Sequence, residues 1–239
     1  MKPLVDKIRA EKKLPLYAVI GATTPIRPYK QNMGAGVGYA LREHLEVTGS
    51  GTILTGGVRG VGVDVYSGII KFCNDGYKKA GAEGKTMLDD LFFVLVPHLT
   101  IETIFDLEMS NHYEVPEEYY NLAKLFSDHI LDVVRAGGSM AERRNYLAQM
   151  ADILITVNGS GGTLNEALLG IENYKPIIAL SYTGGAAATL NCIKNNKIDA
   201  RLKKELIRNE IDLYGINTGL ITVIDSIEEL RVFLRNLEV

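Results

Sequence analysis

Short apolar runs, each leading through a turn into a segment of helical period, set the frame within which this chain must fold. The runs are Leu16–Ile20, Thr52–Thr55, Leu91–Val96, Ile130–Val134, Ile153–Val157, Ile177–Leu180 and Leu220–Ile224. Apolar at almost every position, they are expected as strands buried on both faces. Between them lie Gly36–Val47, Val63–Ala80, Ser139–Ala151, Leu164–Tyr174 and Ile227–Leu237, expected as helices, with a further charged helix at Asp199–Glu210. Strands alternating with helices require right-handed crossovers, which leave neighbouring strands parallel and cover the sheet on both faces. The expected fold class is therefore α/β, a three-layer, doubly wound, mostly parallel sheet.

No linker or internal repeat breaks the pattern, so 1–239 is expected to be a single domain. One stretch departs from the rhythm. Lys85–Ala136 contains no glycine, and Pro97–His129 is long, with Pro116-Glu117-Glu118 suited to open a helix running to about Asp128. An insertion or cap at 97–129 is expected, covering a pocket or contributing to a subunit interface.

Charge excludes some functions. With 26 Lys plus Arg against 29 Asp plus Glu, a net charge of -3 and a pI near 5.9, no nucleic-acid partner is expected on grounds of net charge. Cys73 and Cys192 are too far apart in sequence for a CxxC pair or a zinc knuckle, and no metal is expected. The segment Met1–Lys13 is charged and lacks a signal-peptide core, and no run of 18 apolar residues occurs, so no membrane association and a cytoplasmic location are expected.

Glycine makes up 24 of the 239 residues, about 10% against roughly 7% in average chains. Ten of the 24 lie between Gly21 and Gly62, and the surplus is expected to mark ligand-facing turns. Gly21-Ala22-Thr23-Thr24 follows the first strand, Gly56-Gly57-Val58-Arg59-Gly60-Val61-Gly62 the second, and Asn158-Gly159-Ser160-Gly161-Gly162-Thr163 the fifth. In an open parallel sheet, turns at the carboxyl ends of strands form the ligand crevice. Glycine lets backbone N–H groups approach a ligand, and the following helix presents the positive end of its dipole, which suits phosphate.

Familiar alternatives fail on spacing. Gly34-Ala35-Gly36-Val37-Gly38 lacks the last glycine of the dinucleotide fingerprint and does not directly follow a strand, so it is expected as a helix entry. No glycine loop ends in Gly-Lys-Ser/Thr, which excludes a P-loop. Ser160 lacks the first glycine of a nucleophile elbow, and His44, His98, His112 and His129 all precede it, against a hydrolase triad in Ser, acid, His order.

Met140, Arg143, Leu147 and Met150 share one helical stripe, which directs Arg143 toward the covered face, with Arg144 beside it. Glu166 follows Thr163 by three residues, the spacing of a capping box. The same carboxylate beside a phosphate-holding turn also suits cleavage of a glycosidic bond, which passes through an oxocarbenium-like state.

The run Met140-Ala141-Glu142-Arg143-Arg144, then Ala151-Asp152, then Gly159-Ser160-Gly161-Gly162-Thr163-Leu164-Asn165-Glu166 resembles the signature of the Lonely Guy (LOG) family, once described as lysine decarboxylases. That signature is M-x-x-R-K, A-D, a strand and P-G-G-x-G-T-x-E-E. The resemblance implies a Rossmann-like homodimer or higher homo-oligomer that hydrolyses AMP-like nucleoside 5′-monophosphates to free base and ribose 5-phosphate, an N-glycosidase with no cofactor. It implies Arg143 and Glu166 as catalytic. It places Gly21, Thr23, Gly56, Gly57, Gly60, Met140, Arg144, Asn158, Gly159, Ser160, Gly161, Gly162 and Thr163 around substrate and phosphate. Asn158 stands in place of the signature's proline, Ser160 in place of its second glycine and Asn165 in place of its first glutamate. The wider SLOG superfamily also includes non-catalytic nucleotide sensors and a molybdenum-cofactor carrier, and a binding module is the alternative expectation; the altered loop, with Asn158 and Ser160, favours a changed ligand.

Overall fold

The computed structural model describes residues 2–56, 60–80, 92–96, 132–208 and 213–237. Gly57 and the expected cap at 97–129, with its helix at Pro116, lie outside the described residues. In chain order the elements are α1 (Lys2–Glu11), β1 (Leu16–Gly21), α2 (Gln31–Thr48), β2 (Thr52–Thr55), α3 (Val61–Ala80), β3 (Phe92–Val96), β4 (Asp132–Arg135), α4 (Met140–Met150), β5 (Ile153–Val157), α5 (Gly161–Glu172), β6 (Ile177–Leu180), α6 (Gly185–Lys194), α7 (Ala200–Arg208), β7 (Ile221–Ile224) and α8 (Ile227–Arg235).

The seven described strands form one sheet in the order β4-β3-β2-β1-β5-β6-β7, and each adjacent pair is parallel. Strand order reverses at β1, which pairs with β2 on one side and β5 on the other. Central strands therefore need apolar residues on both faces, and β1, β2, β5 and β6 are buried almost throughout. Tyr17, Val19, Ile153, Ile155 and Val157 pack with Val37, Leu41, Val65 and Ile69 of α2 and α3 and with Leu230 of α8. The alternate residues Leu16, Ala18, Ile20 and Leu154 pack with α1, α4, α5 and α6 on the opposite face. The fold is the expected three-layer Rossmann-like α/β sandwich.

Two helices were not expected from the sequence. In α1 only Val5 and Ile8 are buried, a narrow stripe in a charged segment. Tertiary bonds hold it: Arg9 Nη1 donates to the Met150 carbonyl at 2.7 Å, and Arg9 Nη2 pairs with Asp152 Oδ1 at 2.9 Å. The other is α6, a small-residue helix that packs Ala186, Ala187 and Leu190 against the sheet.

The glycine surplus has a second address. Gly34-Ala35-Gly36-Val37-Gly38 lies within α2, which begins at Gln31, so it is not the helix entry expected. A Cβ on Gly38 would overlap the Val65 carbonyl of α3, and one on Gly68 would overlap the Ala35 carbonyl of α2. These glycines let two helix backbones touch and lie outside the lining of the cavity at the carboxyl edge of the sheet.

Gly38→Ala adds helix propensity worth about 1 kcal/mol, but the added methyl meets backbone that cannot yield, an overpacking cost of about 1–3 kcal/mol. The urea midpoint of Gly38→Ala should fall. Gly36→Ala meets only the Ile227 side chain, at 3.3 Å, and should leave the midpoint unchanged or raised.

Candidate functional site

A cavity of about 190 Å³ opens at the carboxyl edge of the sheet, where the strand order reverses. The β1 turn contributes Gly21, Ala22, Thr23 and Thr24; the β2 end contributes Thr55 and Gly56; α3 contributes Gly62. Met140, Arg143 and Arg144 enter from α4, and Ser160, Gly162, Thr163 and Glu166 from α5. All three glycine turns singled out in the sequence thus meet at one site because parallel strands end on the same edge.

Arg143 is 4% exposed and lies on the buried stripe of α4 with Leu147 and Met150. Its Nη1 stands 3.0 Å from Glu166 Oε1. This is a charge contact without hydrogen-bond alignment, since among the described residues neither atom has a well-directed partner and Arg143 Nε has none either. Gly56 lies beneath the guanidinium, where a Cβ would displace Arg143 Nη1. Arg144 lies over the start of α5, its Nη2 2.7 Å from where a Cβ on Gly162 would stand.

Glu166 is 4% exposed. Burial pushes its carboxyl above the ordinary glutamate value, and Arg143 and Arg144 pull it back without cancelling the rise. The capping box expected at Thr163 and Glu166 is not formed: Ser160 is the N-cap, α5 starts at Gly161, and Glu166 lies inside the helix, in the cavity. A side-chain cap forms instead at α4, where Ser139 Oγ accepts from Glu142 N at 3.2 Å, and Glu142 Oε2 accepts from N of Gly138, the residue before the cap, at 2.7 Å. Release from capping leaves Glu166 available for chemistry. The Ser160 side chain makes no cap bond, and the first-turn amides of α5 have no intrahelical partner.

Of the remaining sequence-derived site residues, Gly60 lies outside the cavity lining and sits so close to the Ala22 and Thr23 carbonyls that it has no room for a Cβ. Gly161 opens α5 beside the lining. Gly159 adopts φ +97, a conformation available to glycine, and its carbonyl accepts from Ala186 N at 2.8 Å. Asn158 is fully buried and absent from the lining, its polar atoms engaged within the protein. Thr24, Thr55 and Gly62 line the cavity although sequence reasoning did not nominate them; each stands in or next to one of the glycine turns, which was the available signal.

Cys73 and Cys192 are free thiols and half-buried. Among the described residues, no helix is long and apolar enough to cross a membrane.

A family model for the SLOG cluster4 family matches residues 117–210, the segment that carries Arg143, the glycine turn of β5 and Glu166. The likeness to SLOG proteins drawn from the motif is thereby borne out. No curated protein matches the sequence. The X-ray structure of TM1055, a structural-genomics target, is similar at 18% identity and TM-score 0.53, covering 94% of this chain and 100% of that one, and it shares the fold. The molybdenum cofactor carrier protein of Chlamydomonas reinhardtii is similar at 15% identity and TM-score 0.48, covering 92% of this chain and 96% of its own. The molybdenum cofactor binding protein of Rippkaea orientalis is similar at 20% identity and TM-score 0.44, covering 92% and 95%.

Proposed function

We propose that the cavity at the β1/β5 reversal binds a nucleoside 5′-monophosphate and hydrolyses its N-glycosidic bond, releasing free base and ribose 5-phosphate. The buried Arg143–Glu166 pair, set beside the open start of α5, carries this reading. The phosphate rests on the first turn of α5, against Ser160, Gly162 and Thr163, with Arg144 above it. Two guanidiniums against one carboxylate, with roughly half a positive charge from each of the α3 and α5 starts, balance the about -2 charge of a phosphate monoester.

As the bond from C1′ to the base nitrogen breaks, positive charge grows on the ribose. Glu166, as a carboxylate, stabilises that charge and orients a water molecule. The hydroxyl of the water adds to C1′ and its proton ends on the departing base nitrogen. Arg143 holds the carboxylate in the cavity and opposes the upward push that burial exerts on it. The LOG resemblance supports the same roles, together with a homo-oligomer.

A second reading, binding of an intact nucleotide or cofactor without turnover, is favoured by Asn158. Its φ of +52 is closed to the proline that the LOG signature carries there, so the turn departs from that signature in backbone as well as side chain.

Incubation with AMP and N6-substituted AMPs separates the readings. Appearance of free base with ribose 5-phosphate supports hydrolysis. A nucleotide that raises the melting temperature and is recovered intact supports the second reading and overturns the first.

A further inference from the structure

We infer that Asn158 is a positioning residue of this site: it fastens the turns after β1, β5 and β6 into one frame and so presets the anion-binding geometry without touching the ligand. The inference rests on the proposed phosphate site and assigns Asn158 a different task from the ligand contact expected of it in sequence.

Asn158 follows β5 directly, at the reversal of strand order, and is fully buried with φ +52. Asparagine tolerates this left-handed backbone better than most residues. Its side chain pairs with the Ile26 peptide on both sides: Oδ1 accepts from Ile26 N at 2.9 Å and Nδ2 donates to Ile26 O at 2.9 Å. Nδ2 also donates to Thr183 O at 2.6 Å, and Asn158 N donates to Thr183 Oγ1 at 2.7 Å. Thr183 Oγ1 in turn donates to Leu180 O at 2.7 Å, at the end of β6.

Three loops from neighbouring strands are therefore joined through one side chain. The loop held at Ile26 begins with Ala22, Thr23 and Thr24, one part of the cavity lining, and the residue after Asn158 starts the turn that leads to Ser160 and Gly162, another part of it. Fixing both parts to a single residue sets the gap between them. A shift of about 1 Å in such a gap is enough to change binding or rate by up to a hundredfold.

The orientation of the amide is determined by its partners. Ile26 N is a donor and needs Oδ1, whereas the Ile26 and Thr183 carbonyls need Nδ2. An aspartate at 158 keeps the acceptor, loses both donors and places a carboxylate against two carbonyls. Thr183→Val removes the hydroxyl that links Asn158 N to Leu180 O, and Thr183→Ser retains it.

The test compares wild type with Asn158→Asp, Thr183→Val and Thr183→Ser, each well below its own melting temperature. Calorimetric titration with AMP and with inorganic phosphate gives affinity, and amide hydrogen exchange at Ile26 reports the clamp. Asn158→Asp, which sets a carboxylate against the Ile26 and Thr183 carbonyls, should weaken both ligands by about tenfold or more. Thr183→Val should weaken binding in the same sense, and Thr183→Ser should match wild type. Should Asn158→Asp not fold, Thr183→Val, which leaves the Asn158 side chain intact, still decides.

Wild-type affinity in variants whose Ile26 amide exchanges faster would overturn the proposal, as would wild-type affinity in both Asn158→Asp and Thr183→Val. Wild type that binds phosphate but not AMP would overturn the nucleotide reading alone, leaving the clamp to be judged on phosphate. Binding of neither would end both.

Discussion

Glu166→Gln is expected to lower release of free base from AMP by about a thousandfold, within the range for removal of a positioned acid–base or charge-stabilising group. Glutamine preserves the size of the side chain and offers Arg143 an oxygen, so the cavity wall is retained. What it lacks is the negative charge that offsets the growing positive charge at C1′. AMP affinity, measured by calorimetry, should change by no more than a few-fold, because the phosphate rests on the start of α5 and under Arg144. Loss of rate with retained affinity is the signature of an interaction made in the transition state. Equal rates for Glu166→Gln and wild type would remove Glu166 from the mechanism.

Arg143→Met is expected to destabilise the fold by about 3–5 kcal/mol near pH 8, because it leaves a buried carboxylate without its cation. Its pH dependence identifies the cause. In the native protein burial already holds the Glu166 carboxyl above its ordinary value, and Arg143 is the strongest influence opposing that rise. Without Arg143 the folded-state value climbs further. Between the unfolded and folded values the native state then holds more protons than the unfolded state, so stability falls as pH rises through that window. Arg143→Met should therefore come closest to wild type at pH 5 and be weakest at pH 8, measured as urea midpoints across the range. Adding Glu166→Gln to Arg143→Met removes the titrating group and should flatten the difference. A deficit that stays constant with pH would mean that lost packing, not a stranded charge, is responsible.

The strands were legible to within a residue or two. Thr52–Thr55, Ile153–Val157 and Ile177–Leu180 have the bounds expected of them, because a strand buried on both faces must be apolar nearly throughout. The first helix was not legible, since Val5 and Ile8 alone form its stripe and its anchor, Arg9 on Met150 and Asp152, crosses more than a hundred residues. Gly34, Gly38 and Gly68 show the same boundary. Their number could be counted in the sequence, but their task, close contact of α2 with α3, depends on which helices become neighbours.

At the site, periodicity alone directed Arg143 toward the covered face of its helix and brought Glu166 into question. A three-residue spacing could not distinguish a cap from a buried carboxylate, because that depends on where α5 starts, and the extended backbone of Ser160 puts the cap there.

Sequence alone thus determined the α/β class, the strand segments and the three glycine turns, since burial and turn formation are local demands on residue type. Tertiary structure decided that those turns share one cavity, that Arg143 of α4 meets Glu166 of α5 at 3.0 Å, and that Asn158 is bonded to the neighbouring turns and does not line the cavity. Each of these depends on strand order and on contacts between distant segments. Such contacts leave no period in a sequence, because the free energy that selects them is shared by groups far apart along the chain.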